Sequence, residues 1–263
     1  MLDDAYANAA HIPGGAEFPA RWAAKAQAFR NAIGARGQQG IAYGAGARQV
    51  FDMFAPAQPA KGTLVFVHGG FWRAFDASFW SHLAQGALAQ GYRVAMPSYD
   101  LCPDVSIAQI TGQIAVAVQQ IAADYSGDMV LTGHSAGGHL VARMLDETVL
   151  PARVQNRIRR VCPISPLADL EPLLQTDMNR DFKMTQADAR QESPIHQPAP
   201  KSTQVHVWVG AAERPAFVDQ ARWLAQAWDT PLTLAPGRHH FDVIDALEDP
   251  QSTLITELVG NGS

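Results

Sequence analysis

The sequence predicts an α/β fold with a mostly parallel central sheet and helices on both of its faces. Two observations support this prediction. After residue 47, short β-like runs alternate with helix-like stretches of roughly 10 to 20 residues, as in successive βαβ crossovers. The run TLVFVHG (63–69) is continuously apolar, which is typical of a strand that is buried in a parallel sheet.

Length and composition favour one ordinary globular domain. The 263 residues fit a single large domain better than two, and 47% of them are hydrophobic while 17% are charged. The net charge of −5 argues against a nucleic-acid or anionic membrane partner. No stretch approaches the ~18 consecutive apolar residues of a membrane helix. We expect a single domain over residues 1–263, in which residues 1–47 form an N-terminal approach segment.

The cysteines and the first residues bear on the cellular compartment. Two cysteines, Cys102 and Cys162, are too few for a disulfide framework and fit a reducing compartment. The N-terminal sequence MLDDAYANAA is acidic and lacks the apolar region of a secretory leader. We therefore expect a cytoplasmic protein.

The elements follow in chain order. PARWAAKAQAFRNAI (19–33) predicts one helix in the approach segment, ending near Gly34. The β-like runs are 48–55, 63–69, 92–99, 128–133, 159–165, 204–210 and 231–236. The helix-like stretches are 78–90, 106–125, 135–147 and 218–229. An antiparallel pair of the first two strands would suit the short link between them, which contains proline and glycine.

The region 166–203 interrupts this alternation. It is rich in Asp, Pro and Gln and has no clear strand. We interpret it as a long loop or a small helical excursion over the carboxyl edge of the sheet. Ligands of parallel α/β sheets bind at that edge.

One serine lies at the junction of a strand and a helix. GHSAG (133–137) directly follows a strand-like run and opens a helix-like one, which is the context in which G-x-S-x-G marks a nucleophile elbow. Small neighbours are needed because the elbow forces the serine into a strained backbone conformation. We predict that Ser135 is a nucleophile. The alternative is a tight turn in which Ser135 only caps the helix.

A second glycine motif supplies candidate donors for an oxyanion. FVHGGFW (66–72) ends an apolar strand with His-Gly-Gly, a loop type whose amides stabilise negative charge in acyl-transfer enzymes together with the amide after the nucleophile. We assign the donors to Gly70 and Ala136, and Gly69 and Phe71 are further candidates. His68 is expected to brace the loop rather than to transfer protons.

The base and the acid should follow the serine in chain order. PGRHHFDVID (236–245) offers His239 and His240 just beyond the last strand, and we favour His240. The acid should follow the preceding strand, where VWVGAAERPAF (207–217) contains Glu213. Asp219 is the alternative acid, although it lies where the next helix begins. A carboxylate in this role orients the imidazole and stabilises its cation.

Other chemistries have weaker support in the sequence. His134 and His139 lie five residues apart, which does not place two ligands on one helical face, and there is no C-x-x-C pair. The glycines lack dinucleotide and P-loop spacing, and neither cysteine lies on an elbow. We expect no metal and no cofactor.

With these residues placed, most of the chain resembles the serine-dependent kynurenine formamidases, or arylformamidases, of the α/β-hydrolase superfamily, near the hormone-sensitive-lipase-like esterases. HGGFW (68–72) matches the family's H-G-G-x-W, and GHSAG (133–137) is present unchanged. The segments 41–56 and 169–194 are similar to the family's counterparts. HHFDVID resembles the segment that carries the catalytic histidine, which supports His240, the residue before Phe241.

This resemblance implies an α/β-hydrolase fold and the hydrolysis of N-formyl-kynurenine or a similar aryl formamide. It also implies that Trp72, the last residue of H-G-G-x-W, lines the substrate pocket. One departure concerns the acid, because the family usually has aspartate where this chain has Glu213. The extra methylene of glutamate must then be accommodated by the loop.

Two other functions fit the same residues. The first is a carboxylesterase or thioesterase that uses the same triad on an unidentified small acyl substrate. The second is a ligand-binding protein that keeps the pocket of a hydrolase fold without turnover. The intact set of serine, histidine and acid argues against the second.

Overall fold

The computed structural model describes residues 2–260, so Met1 and residues 261–263 of the expected domain lie outside the described part. The strands are β1 (Gly37–Ala42), β2 (Val50–Phe54), β3 (Gly62–Val67), β4 (Arg93–Pro97), β5 (Asp128–His134), β6 (Ile158–Ile164), β7 (Gln204–Val205), β8 (Val207–Gly210) and β9 (Leu232–Ala235). The helices are α1 (Leu2–Tyr6), α2 (Phe18–Ile33), α3 (Gln85–Ala89), α4 (Ile107–Asp124), α5 (Ala136–Arg143), α6 (Ala152–Gln155), α7 (Asn179–Phe182), α8 (Gln186–Glu192), α9 (Pro215–Ala227) and α10 (Thr253–Val259).

The strands of the described chain form one sheet in the order β1-β2-β4-β3-β5-β6-β8-β9, and the short β7 pairs with β6. The strands from β4 to β9 in this order pair in parallel, whereas β2 is antiparallel to both of its neighbours. The predicted α/β class with a mostly parallel sheet is confirmed. The carboxyl ends of the parallel strands therefore meet at one edge, where the site described below is built.

The predicted pairing of the first two strands is wrong. β4 lies between β2 and β3, so that β2 pairs with β4 and not with β3. The link 55–61 is long enough to pass across the roughly 10 Å that separates two strands which are not neighbours. The approach segment also contains β1, an antiparallel edge strand that the sequence did not predict, because GQQGIA lacks the apolar alternation of a half-buried strand.

Both faces of the sheet are covered by helices. Along β3, Val65 and Val67 belong to one apolar cluster, while Leu64 and Phe66 belong to the other. This alternation is the two-residue period of a strand that is buried on both sides. Helix α4 packs in the first cluster, and its start is fixed by a capping box in which Ser106 and Gln109 bond each other's backbone.

Two helical predictions differ from the structure in detail. The stretch 78–90 contains two 3₁₀ turns, Ala77–Phe79 and Ser81–Ala84, before the short α3. Helix α5 begins at Ala136, one residue later than predicted, and ends at Arg143. A turn in which the Asp146 side chain accepts from the amide of Thr148 follows it.

The region 166–203 is a helical excursion rather than a long loop. It contains α7, α8 and the 3₁₀ turns Glu171–Gln175 and Pro194–His196. A capping box of Thr185 and Asp188 begins α8. Nowhere in residues 2–260 is a helix both long enough and apolar enough to cross a membrane.

Candidate active site

Ser135 occupies a strained turn between β5 and α5. Its φ of 56° and ψ of −117° lie in a region that residues with a side chain rarely adopt. The backbone amide of Ser135 donates to the Ile164 carbonyl at 2.9 Å, which ties the turn to β6. The side chain makes no capping hydrogen bond to α5. The geometry therefore departs from that of a simple helix cap and has the form of an elbow.

The glycines around Ser135 are required by close backbone contacts. A Cβ at Gly133 would lie 2.3 Å from the Gly137 carbonyl oxygen, and one at Gly137 would lie 1.9 Å from that of Val67. Gly138 approaches the end of β6, where a Cβ would lie 2.9 Å from the Ile164 carbonyl oxygen. Gly133 and Gly137 therefore allow β5, the turn at Ser135 and the loop after β3 to approach closely. Gly138 allows α5 to pack on β6.

Glu213 and His240 form a buried pair at the same edge of the sheet. The loop after β8 carries Glu213 and the loop after β9 carries His240, whose Nδ1 donates to Glu213 Oε2 at 2.6 Å. Their side chains are 0% and 4% exposed. The second carboxylate oxygen, Oε1, accepts from the Gly210 amide at 2.8 Å and from the Ser165 hydroxyl. The acid is thus fixed by its own loop and by the end of β6.

The alternative base and acid lie elsewhere. His239 Nδ1 accepts from the amides of Phe241 and Asp242, and its ring packs against Phe18. Asp219 is half-exposed on α9 and pairs with Arg222. The structure brings Glu213 together with His240, and it does not bring His239 or Asp219 to this pair.

The loop after β3 presents free amides beside the serine. A Cβ at Gly69 would lie 3.1 Å from the Ser135 Cβ, so this loop contacts the elbow directly. Within residues 2–260, the amides of Gly69, Gly70, Phe71 and Ala136 donate to no protein acceptor. Gly70 has a φ of 112° and Phe71 a φ of 50°, so the backbone of this loop is not extended. Four predicted oxyanion donors therefore remain available.

His68 braces this loop from inside the protein. Its Nδ1 donates to the Gly69 carbonyl at 2.7 Å, and its ring stacks on Tyr99 at 4.3 Å between centroids. The Tyr99 hydroxyl donates to the His68 carbonyl at 2.9 Å. Burial lowers the pKa of His68 to about 4, so the ring is neutral near pH 7. These contacts agree with the expected bracing role.

Trp72 does not line the cavity beside Ser135, contrary to the expectation from the sequence. Its side chain is fully buried and packs edge-on against His139 and Phe182. Trp72 has a φ of 56° and is absent from the wall of the cavity that contains Ser135. It is a packing residue that connects the loop to α5 and α7.

A cavity of about 740 Å³ opens beside Ser135 and His240. Its wall is mostly apolar, as is usual for small-molecule sites. The aromatic lining residues are Tyr6, Trp22, Phe71, Phe75, Trp80 and Phe241. The charged lining residues are Asp3, Arg73 and Asp181, and two histidines, His134 and His240, also line the cavity. The cavity therefore combines a largely aromatic wall with a few charged side chains.

Two other titratable groups in the cavity wall are uncharged. Burial lowers the pKa of His134 well below its usual value, and the neighbouring His240 acts in the same direction, with 4.6 Å between the ring centroids. Burial raises the pKa of the Cys102 thiol to about 11. A thiol at that pKa is protonated near pH 7 and is a poor nucleophile.

Sequence reasoning missed three residues of this site. Ser165 holds Glu213, and its place directly after β6 at the carboxyl edge was a signal that could have found it. Asn8 and Asp181 line the cavity from the approach segment and from α7. Neither belongs to a recognisable motif, because only the tertiary fold brings these segments to the site.

One group of side chains in the described ranges has ligand atoms close enough for a metal ion. Asp169, Glu171 and His196 place such atoms within 4.8 Å of one another. They lie on the excursion, and none of them lines the cavity beside Ser135. Glu171 already accepts from Gln186 at 2.6 Å and lies 3.7 Å from Arg190, so this group is occupied by protein contacts.

The known proteins that this chain resembles agree with the geometry of the site. Kynurenine formamidase of Drosophila melanogaster is 28% identical over 232 residues, which cover 80% of this chain and 77% of that protein. Kynurenine formamidase of Salmo salar is 27% identical and covers 80% and 76% of the two chains. A crystal structure from Silicibacter sp. TM1040, named as a proposed thioesterase, has 55% identity, a TM-score of 0.97 and 98% coverage of both chains.

The family model for alpha/beta hydrolases matches residues 64–260, most of the chain. The matched region begins in β3 and includes the elbow and the loops that carry Glu213 and His240. These relatives are named for the hydrolysis of a formamide or of a thioester, and the chain is a hydrolase. It belongs to the alpha/beta hydrolase family.

Proposed function

We propose that this protein is a serine hydrolase that cleaves an aryl formamide, with Ser135, His240 and Glu213 as its catalytic triad. The observation that carries the proposal is the buried 2.6 Å contact between His240 and Glu213, on the rim of the cavity that also contains Ser135. A histidine fixed in this way has one ring nitrogen bonded to the acid and the other free to face the nucleophile.

The reaction proceeds by acyl transfer. His240 Nε2 takes the proton of the Ser135 hydroxyl, and the oxygen attacks the formyl carbon. His240 then protonates the leaving aromatic amine, and the formyl group remains on Ser135. Water, activated by the same imidazole, releases formate and restores the serine. The Glu213 carboxylate stabilises the imidazolium that forms in both steps.

The free amides of the loop after β3 support this mechanism. Gly70 and Ala136 donate to the oxyanion of the tetrahedral intermediate, with Gly69 and Phe71 as further donors. Because the amides are held in place before the substrate binds, they require no reorganisation during the reaction. Losing one such donor costs about 3 kcal/mol in the barrier, or two to three orders of magnitude in rate.

The relatives and the cavity wall favour N-formyl-kynurenine or a similar aryl formamide as the substrate. The two curated relatives are named kynurenine formamidase and match about four fifths of this chain. A formyl group is the smallest acyl group and needs little room at the elbow. The aromatic wall, which includes Phe75, Trp80 and Phe241, suits an aryl leaving group.

A second candidate is a carboxylesterase or thioesterase with the same triad. The structural relative with 55% identity is named as a proposed thioesterase, and this is the observation that favours it. Cleavage of an ester or thioester uses the same nucleophile and oxyanion donors. The two candidates differ only in the acyl and leaving groups that the cavity accepts.

A substrate panel separates these candidates. The wild-type protein is assayed with N-formyl-kynurenine, p-nitrophenyl acetate, p-nitrophenyl butyrate and a short acyl thioester, and kcat/KM is compared. We expect the formamide to have the highest kcat/KM. Good turnover of the esters or the thioester without turnover of the formamide would replace the first candidate by the second. Tight binding with no turnover of any substrate would favour a ligand-binding protein.

We also propose a cytoplasmic location. Cys102 and Cys162 are both free and buried, and burial raises the pKa of each thiol. Two unpaired thiols fit a reducing compartment. Fractionation of cells with an antibody against the protein would test this, and recovery from a secreted fraction would contradict it.

A further inference from the structure

The imidazole of His240 has close contacts besides its hydrogen bond to Glu213. The Phe217 ring lies 4.2 Å from the His240 ring between centroids, with 44° between the two ring planes. The His134 ring lies 4.6 Å from the same imidazole, also between centroids. Both His240 and Phe217 are buried. The proposed base is therefore packed between neighbouring side chains and is not a free arm in the cavity.

Phe217 is outside the wall of the cavity that contains Ser135. A phenyl ring also has no group that could donate, accept or carry a proton. Phe217 therefore takes no direct part in the binding of a substrate or in proton transfer. Its contact with the imidazole is the route by which it can influence the reaction.

The segment ERPAF (213–217) supplies two of the contacts of His240. Glu213 precedes α9, and Phe217 lies in the first turn of that helix, which begins at Pro215. Proline suits the start of a helix because its fixed φ already has a helical value. One short segment thus brings a carboxylate to Nδ1 and a phenyl ring into contact with the same imidazole.

Two further rings hold Phe217 itself. The Tyr6 ring of α1 lies 5.7 Å from the Phe217 ring at 74°, and the Phe71 ring of the loop after β3 lies 6.2 Å away at 61°. The Tyr6 hydroxyl accepts from Gln220 Nε2 of α9 at 2.9 Å. Aromatic pairs at such distances favour an edge-to-face arrangement. The orientation of the Phe217 ring is therefore restricted by elements on several sides.

The orientation of the imidazole decides whether His240 can act as a base. Nδ1 must face Glu213 while Nε2 faces Ser135. A hydrogen bond at Nδ1 fixes one atom of the ring, whereas a flat neighbour in contact with the ring restricts its plane. A misplacement of a reacting group by about 1 Å can cost about 100-fold in rate. A contact that restricts the ring plane therefore affects kcat.

We propose that Phe217 is a positioning residue for His240. Its ring restricts rotation of the imidazole, so that Nε2 stays available to Ser135 while Nδ1 stays bonded to Glu213. This inference rests on the proposed catalytic triad, and it does not depend on which acyl substrate the cavity accepts. A flexible side chain of similar size fills the same space and does not restrict the imidazole.

Two substitutions of Phe217 test the proposal. Phe217→Met replaces the ring by a flexible chain that adapts to the space, and Phe217→Leu leaves part of the space empty. We expect each substitution to lower kcat about 10- to 100-fold and to leave KM within about twofold of the wild type. N-formyl-kynurenine and p-nitrophenyl acetate are the two substrates, and the loss should appear with each one that the wild type hydrolyses.

Proton NMR reports on the imidazole directly. The Nδ1 proton of His240 lies in a buried hydrogen bond of 2.6 Å to Glu213 and should give a signal far downfield of the amide protons. The absence of that signal from His240→Gln assigns it. In Phe217→Met we expect the signal to be broadened or lost, because the imidazole then exchanges between orientations.

Phe54→Leu is the matched control. Phe54 is fully buried, as Phe217 is, but it lies on β2 and packs against Phe29. We expect Phe54→Leu to destabilise the protein as Phe217→Leu does, because both leave a void in the core. Its kcat should stay within about twofold of the wild type. Urea unfolding measures the stability of every variant.

The outcomes separate this inference from the proposed function. A wild-type kcat in Phe217→Met, an unchanged Nδ1 signal in that variant, or an equal loss of kcat in Phe54→Leu would each overturn the inference and leave the triad in place. If the wild type hydrolyses the ester alone, the formamide substrate is wrong and the ester decides the inference. If the wild type hydrolyses neither substrate, the proposed function and the inference both fail.

Discussion

At the scale of single residues, the candidate site depends on a few backbone contacts that only glycine allows. Gly133 and Gly137 permit the elbow to touch the loop after β3, and Gly70 permits the turn that contains the proposed oxyanion donors. A Cβ at Gly70 would lie 2.4 Å from the Ala74 carbonyl oxygen. The position of Ser135 relative to these amides is therefore set by main-chain packing, which side-chain repacking cannot adjust.

Gly137→Ala should destabilise the protein and abolish its activity. Its Cβ would lie 1.9 Å from the Val67 carbonyl oxygen, so the elbow or β3 must move. Gly112→Ala is the matched control, because Gly112 lies in α4 with nothing within 4 Å of the new Cβ. We expect that variant to stabilise the protein by about 0.5–1 kcal/mol. Urea unfolding of both variants measures these effects. A Gly137→Ala variant with wild-type stability would show that the close contact with the Val67 carbonyl oxygen does not constrain this position.

The assignment of the acid makes a second prediction at this scale. Glu213→Gln should lower kcat by about 10⁴-fold, because an amide neither stabilises the imidazolium nor fixes its tautomer. Asp219→Asn is the matched control on exposed α9 and should change kcat by no more than about twofold. The reverse pattern in steady-state assays of the two variants would assign the acid to Asp219.

The site residues that the sequence predicts differ from the others in how the fold brings them to the site. Ser135, Glu213 and His240 follow strands whose carboxyl ends must meet in a parallel sheet, so chain order alone brings them to one edge. Whether Trp72 faces the cavity or the core depends on the left-handed turn of its loop, and no pattern in HGGFW reports that turn. The contribution of Asn8 likewise depends on where the approach segment packs.

At the scale of elements, a buried polar network ties the excursion to the helices beneath it. The Glu192 carboxylate at the end of α8 accepts from Thr111 of α4 at 2.7 Å and from Arg143 of α5 at 3.3 Å. The Glu192 carbonyl also accepts from His139 Nε2 at 2.7 Å. Helix α5 begins directly after Ser135, so this network connects the covering segment to the helix that follows the proposed nucleophile.

Glu192→Leu should cost about 3 kcal/mol of stability, because it leaves the buried Arg143 with one carboxylate partner instead of two. The exposed pair of Arg159 and Asp128 provides the control, since both side chains are more than half-exposed. Asp128→Ala should cost less than about 1 kcal/mol. Urea unfolding measures the free energy of unfolding of both variants. An equal loss in the two variants would show that burial does not determine how much these carboxylates contribute to stability.

The type and order of the main elements could be predicted from the sequence, but the pairing of the first strands could not. Helix α4 and strands β3 and β5 have strong periodicity or continuous apolar runs. The position of β4 between β2 and β3 is set instead by the crossover through residues 77–89. Periodicity reports which face of a strand is buried, and it does not report which strand lies beside it.

At the scale of the whole molecule, four buried histidines link stability to pH. Burial lowers the pKa of His68 and His82 to about 4 and that of His139 to about 3. Burial also lowers the pKa of His134 well below its usual value. An unfolded chain has histidine pKa values near 6.5. Below that pH the unfolded state binds protons that the folded state excludes, so the stability is lost as the pH falls.

The free energy of unfolding should therefore decrease between pH 7 and pH 5. Each histidine that stays neutral in the fold contributes a slope of about 1.4 kcal/mol per pH unit once the unfolded residue is protonated. Urea titrations followed by far-UV circular dichroism at pH 7, 6 and 5 measure this slope. A free energy of unfolding that is constant over this range would show that these rings are not held neutral.

Ser135 is proposed to be the nucleophile of a formamide hydrolase. The most direct measurement is the rate of formate release from N-formyl-kynurenine by the wild type and by Ser135→Ala at pH 7. We expect the wild type to turn over and Ser135→Ala to be slower by about 10⁴- to 10⁶-fold, with unchanged folding by circular dichroism. Formate release by Ser135→Ala at the wild-type rate would contradict the claim.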